Sequence, residues 1–282
     1  MWRTLTTALV TLWLSTLLIP PETQAQAPSS SLIARGKYIF AAAGGCACHT
    51  SPASEGKQNG GGKKIEGPFG IVYTPNITPD KETGIGQWSQ GAIINAIRRG
   101  VRPTGEKMHP VMPYPYYSFM AMEDLRALVA YLMTFPPVRN QVPPSQLRVA
   151  VPDLVIPDPP EKAPRSGIVR GRYLVDAVSA CVDCHTGKTT RHRYLAGTLS
   201  GPEDTIVPNI TPDPSTGISR WTKTQIIAYL QTGERPDGRR ANRIMMEVIR
   251  GRSGGYGNMT RQDLTAIADY LRTIPPIQLA PQ

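Results

Sequence analysis

The 282-residue sequence is poor in aromatic residues, in cysteine and in long apolar runs, and each shortage narrows what the chain can be. Beyond the first twenty residues no stretch is apolar enough to span a bilayer, which excludes a protein of several membrane passes. Strand signals are few, which points to a helical chain. Phe, Trp and Tyr together make up 7% of the residues, too few for helices and long loops to fill a core unaided. No nucleic-acid motif accompanies the positive charge, and no catalytic dyad can be picked out along the chain. Only four cysteines occur, Cys46, Cys48, Cys181 and Cys184.

What is present begins with an export signal. Arg3 gives a positive start, Leu5 to Ile19 is a short apolar run, and small residues follow at Ala25 and Ala27. That layout predicts a secretory signal over residues 1–27 and an exported, periplasmic protein. A retained membrane anchor is the competing reading, weakened by the shortness of the run. The formal net charge is +10, from 31 Lys and Arg against 21 Asp and Glu. A basic surface attracts partners with acidic docking surfaces, or an anionic membrane surface.

In an exported chain an even number of cysteines first suggests disulfides. Here each pair is followed at once by a histidine, His49 and His185, for which a disulfide has no use. Cys181-Val182-Asp183-Cys184-His185 matches the C-x-x-C-H pattern of covalent haem attachment. Two cysteines three apart share one face of a helical turn, so both thiols can reach the haem vinyl groups while the next imidazole meets the iron. A haem would also supply the apolar core that the composition withholds.

The chain then repeats itself. Arg35-Gly36-Lys37-Tyr38 recurs as Arg170-Gly171-Arg172-Tyr173, and Asn76-Ile77-Thr78-Pro79-Asp80 as Asn209-Ile210-Thr211-Pro212-Asp213. Thr83-Gly84-Ile85 with Trp88 recurs as Thr216-Gly217-Ile218 with Trp221, and Asp124-Leu125 as Asp263-Leu264. The expected organisation is a first domain over 28–138, a proline-rich connector over 139–165 and a second domain over 166–282. The connector reads as extended and fairly stiff, with its apolar part, Leu147 to Ile156, lying along a domain surface. Helices are expected over Ser31 to Ala43 and Gly167 to Val178, over Ser89 to Arg99 and Thr222 to Thr232, and over Met122 to Thr134 and Thr260 to Thr273. Ser89 and Thr222 are placed as N-caps, and Thr260 with Asp263 reads as a capping box.

These residues carry a family resemblance. Each unit resembles a class I cytochrome c domain, and the Asn76 to Trp88 segment with its copy is similar to that of cytochrome subunits accompanying bacterial periplasmic alcohol and sugar dehydrogenases. The resemblance implies an all-α fold of two tandem cytochrome c domains and two covalently bound haem c groups. It implies thioethers from Cys46, Cys48, Cys181 and Cys184, axial His49 and His185, and a distal methionine in each unit. Met112 and Met245 are the candidates, because each lies twelve residues beyond its Gly100 or Gly233. Met108 and His109 compete at the first site and Met246 adjoins the second. Those relatives typically carry three haem domains, whereas this chain has two.

Cys46-Ala47-Cys48-His49 departs from the pattern, with one residue between its cysteines. Side chains two apart on a helix point to nearly opposite faces, so either both cysteines attach from a distorted turn that Gly44 and Gly45 permit, or Cys48 alone holds the haem. The implied function is electron transfer between a redox protein donor and acceptor, with no bond-making chemistry. Two rivals stand: a haem enzyme (peroxidase or sulfur-compound oxidase) built on the irregular first site, and a structural zinc site from the four cysteines. Trp88 and Trp221 could line the haem sites or pack the core; Arg98, Arg99, Arg235 and Arg239 could face propionates or solvent. His192 has no partner that the sequence names.

Overall fold

The computed structural model describes residues 27–51, 57–187, 193–201, 203, 205–251 and 254–279. The expected export signal over 1–27, apart from Ala27, and His192 lie outside the described residues.

Each unit is framed by the crossing of its first and last helices. In the first unit α1 (Ser30–Ala42) packs on α4 (Met122–Leu132), and in the second α5 (Gly167–Tyr173) packs on α9 (Arg261–Leu271). Glycine makes both crossings possible. A Cβ on Gly36 would stand 1.9 Å from the Ala127 carbonyl oxygen, and one on Gly171 1.9 Å from that of Ala266. Backbone can approach backbone this closely only where no side chain intervenes.

Between the framing helices lie α2 (Gln90–Arg99) and its copy α7 (Lys223–Thr232). The expected caps form: Ser89 accepts from the Ala92 N–H, and Thr222 and Gln225 make a complete capping box. Gly100 and Gly233 end these helices in the left-handed conformation. The Thr260 box is only half made. Its hydroxyl accepts from the Asp263 N–H, while the Asp263 carboxylate turns to Arg170 instead. Helix α6 (Cys181–His185) is the helical turn expected of the second cysteine pair, whereas α3 (Tyr114–Tyr117) and α8 (Arg243–Arg250) were not expected.

The fold is helix-dominated but not all-α. Strands β1 (Lys64–Gly67) and β2 (Gly70–Tyr73) form an antiparallel hairpin about Pro68-Phe69, with Lys64 opposite Tyr73. β3 (Gln146–Leu147) adds to β2 from the connector. Strands this short leave too few alternations to register as period two.

The connector lies along the first unit for much of its length. Met122 and Glu123 donate to the carbonyls of Pro160 and Glu161, and Arg98 donates to that of Pro157 at 2.5 Å. Arg98 therefore pins the connector and faces no haem site, contrary to one of the two roles open to it. The apolar part does not bury as expected: Val149 and Leu154 are exposed, and Val155 is 99% exposed. Backbone and charged contacts hold this segment.

Buried side chains of both units merge into one continuous cluster, from Ile39 and Phe40 to Leu264 and Leu271. Among the described residues no helix is long and apolar enough to cross a membrane.

Candidate functional site

The two cysteine motifs sit where α1 and α5 run out. The second is helical over Cys181–His185, entered through Ala180 at φ 45°. In the first, Gly44–His49 forms a 3-10 turn broken by left-handed Gly45 (φ 65°) and Cys46 (φ 47°). The distortion that one missing residue requires is thus taken up by the glycine and by Cys46 itself. Non-glycine residues reach this region only with a strain of about 1–3 kcal/mol.

The histidines are held alike. His49 Nδ1 lies 2.8 Å from the Pro75 carbonyl oxygen, and His185 Nδ1 lies 2.8 Å from that of Pro208. A carbonyl only accepts, so Nδ1 carries the hydrogen in both rings. Burial pushes both imidazoles below their ordinary range, so each is neutral at pH 7 and its Nε2 keeps a lone pair. This is how a protein orients an imidazole towards a metal.

An apolar cleft opens in front of His49. Cys46, Cys48, His49, Ile85, Trp88 and Ile97 line it together with Met108, His109 and Met112. His109 stacks on Phe69 at 4.3 Å between ring centroids, and its Nδ1 accepts from the Val111 N–H at 3.1 Å. A neutral His109 then carries its hydrogen on Nε2 and has no lone pair there for iron. Met112 has no such impediment. In the second unit Met245 packs against the core cluster, whereas Met246 turns to Gly233, where its sulfur would lie 2.2 Å from an added Cβ. Trp221 packs edge-to-face on Tyr229 at 5.4 Å, under the guanidinium of Arg235.

One residue was overlooked. Arg102 lines the first cleft, and its Nε lies 3.3 Å from the Glu106 carboxylate. It lies two residues past Gly100 as Arg235 lies two past Gly233, so the repeat held the signal. Arg99 pairs with Asp158, and Arg235 and Arg239 both pair with Asp237. Tyr117 was overlooked as well. It lines the first cleft with Cys46 and Cys48, and burial pushes its phenol well up, with Cys46, Cys48, Asp183 and Cys184 adding to the effect. Among the described residues no three His, Cys, Asp or Glu side chains converge as a metal site, and the four cysteines form no disulfide. The four cysteines do not gather into the rival zinc centre.

The paired histidines, the cysteines beside them and the apolar cleft fit a covalently held haem. The family model for cytochrome c matches the chain twice, over residues 33–136 and 168–275. The chain belongs to the cytochrome c family. It is 34% identical over 275 residues to the fructose dehydrogenase cytochrome subunit of Gluconobacter japonicus, covering 91% of this chain and 54% of that one. It is 34% identical over 290 residues to the cytochrome c subunit of the quinone alcohol dehydrogenase of Gluconacetobacter polyoxogenes, covering 90% and 58%. The chain thus spans little more than half the length of these relatives. A dihaem c-type cytochrome of Cereibacter sphaeroides matches at 32% over 267 residues, covering 86% of each chain. This cytochrome accordingly carries two covalently bound haem c groups, one in each domain.

Proposed function

We propose that this cytochrome passes electrons between a periplasmic donor, a dehydrogenase of the alcohol or sugar class, and a respiratory acceptor. In this reading it is an electron carrier without an activity of its own, exported across the inner membrane by residues 1–27, with domains over 28–138 and 166–282. When bound, the haem irons supply reversible one-electron chemistry. The observation that carries the reading is the twin arrangement of His49 on Pro75 and His185 on Pro208. Two matching bonds from Nδ1 to a backbone carbonyl leave both Nε2 atoms with a lone pair to serve as axial ligands.

Cys46, Cys48, Cys181 and Cys184 form the thioethers, and Met112 and Met245 take the distal positions. A thioether favours reduced iron and raises the potential, which suits a carrier. Arg102 and Arg235 hold the carboxylates at the rim of each site. The excess of basic residues steers the molecule to acidic docking surfaces on its partners. The rival haem enzyme needs an open distal position, and at the first site Met112 stands ready to close it.

Intact mass of the denatured protein, made in a host that attaches haem c, tests the reading. A gain of two haems is the expected result. A gain of one removes the contracted motif from the attachment sites, and no gain ends the dihaem reading.

A further inference from the structure

The contacts between the units are reciprocal. Tyr38 on α1 donates to Asp263 Oδ2 at 2.7 Å, and its counterpart Tyr173 on α5 donates to Asp124 Oδ2 at 2.6 Å. Each hydroxyl also accepts a backbone N–H, from Thr260 at 3.3 Å and from Ala121 at 3.0 Å. Ala121 and Thr260 are the N-caps of α4 and α9, and each aspartate is the third helical residue. In an ordinary capping box the third residue's side chain reaches back to the N-cap N–H. Here a hydroxyl from the opposite unit stands between those two groups, so each unit caps the last helix of the other. The carboxylates are completed from within: Arg35 bonds Asp124 at 2.7 Å, and Arg170 bonds Asp263 at 2.7 and 3.0 Å.

The segments that follow these tyrosines lead to the cysteine motifs, through the end of α1 in the first unit and through a wider helical turn over Leu174–Val178 in the second. Cys46 lies eight positions past Tyr38, and Cys181 eight past Tyr173. Beyond them the two motifs meet the seam between the units. Ser179 Oγ donates to the Ala42 carbonyl at 2.8 Å, and Lys63 pairs with Glu247 at 3.2 Å. A Cβ on Gly45 would lie 1.7 Å from the Gly254 carbonyl oxygen.

We propose that Tyr38 and Tyr173 are positioning residues for electron transfer between the two haem sites, their exchanged capping bonds holding the cysteine motifs at one fixed separation. The proposal rests on the dihaem reading above. The exchange it serves is a one-electron one: one site goes from ferrous to ferric as the other goes from ferric to ferrous, and no bond is made or broken. A buried polar network with every partner satisfied favours a single arrangement, because any slip leaves charges and hydroxyls unpaired in a low dielectric. Apolar contacts in the shared core set no such directional requirement and tolerate small slips between the units.

The test uses the haem-loaded full chain and its Tyr38→Phe, Tyr173→Phe double variant. A flash of reductant half-reduces the protein, and absorption follows equilibration between the sites. Intact mass and the haem spectrum report attachment and ligation separately. The expected variant keeps two haems and unchanged ligation spectra, loses the fast phase of equilibration, and shows weaker magnetic interaction between its ferric centres. An unchanged fast phase overturns the proposal even if the melting temperature has fallen, since the bonds then stabilise without positioning. Should the double variant not fold, Tyr38→Phe alone decides by the same readout, because the Thr260 N–H that it releases is exposed. Fewer than two haems on the wild type refutes the dihaem reading first, and the proposal with it.

Discussion

Replacing Gly36 by alanine sets two effects of opposite sign against each other. Alanine is the better helix former by about 1 kcal/mol, so a loosely packed α1 would gain stability. In the observed crossing the new Cβ would stand 1.9 Å from the Ala127 oxygen and 2.7 Å from the Tyr131 Cβ. Neither neighbour can rotate away. One is backbone, and the other roots a ring that packs edge-to-face on Phe40 and Phe135 at 5.4 and 5.0 Å. The helices must therefore part by about 1 Å, an overpacking worth about 1–3 kcal/mol. A rigid obstacle puts the cost near the upper end and leaves a net loss of about 1–2 kcal/mol after the propensity gain. For a cooperative body of this size each kcal/mol lowers Tm by about 2–4 °C, so the expected fall is about 2–8 °C. Calorimetry of the haem-loaded protein measures it. A rise in Tm would refute the crossing, and two separate transitions of which only one moves would refute the continuous core.

Two further outcomes follow from the same contacts and ligands. Burial, aided by the bond to Asp263, pushes the Tyr38 phenol from 10 up to about 12. The folded state thus holds that proton more tightly than the unfolded chain, and its contribution is complete below the unfolded value and lost as pH rises through the folded one. Denaturant unfolding between about pH 9 and 12 should show stability falling less steeply in Tyr38→Phe than in wild type; equal slopes would remove the coupling. Met112→Ala and Met245→Ala should each lower one of the two reduction potentials while both haems stay attached, and redox titration with two unchanged potentials would remove the ligand assignment.

Much of the molecule was legible because its signals are local or repeated. The doubling of Arg35-Gly36-Lys37-Tyr38 and Asn76 to Asp80 located both units, and Ser89, Thr222 and Thr260 marked helix starts that the structure places one residue further on. What was missed is short or distant. The hairpin strands span four residues each, and α3 is a single turn. α8 follows an Asn242 N-cap whose side chain accepts from the Met245 N–H, a signal passed over when the segment was read only for its methionine. Tyr38 and Asp263 lie 225 residues apart in sequence, and no periodicity reports such a contact. Arg98 was misjudged because a buried guanidinium can serve a carbonyl as well as a carboxylate.

The contracted cysteine motif belongs with the last group, since the backbone packed against it lies in the other unit. Motif and seam fit each other at Gly45, whose left-handed φ and missing side chain let the Gly254 carbonyl stand where a Cβ would be. Ala180, at the matching place in the second unit, is also left-handed yet keeps its methyl group, so the second motif meets no such obstacle. When two copies of one unit face each other in a single chain, residues along the seam must share space that neither copy alone would contest. Equivalent positions then need not stay equivalent, and one copy yields. A restored second residue between Cys46 and Cys48 would relax the turn but would lengthen the segment next to Gly45, against backbone that cannot move aside. On this account the irregular spacing results from packing against the second unit, and the strain of a left-handed Cys46 is offset by the contacts the close approach permits.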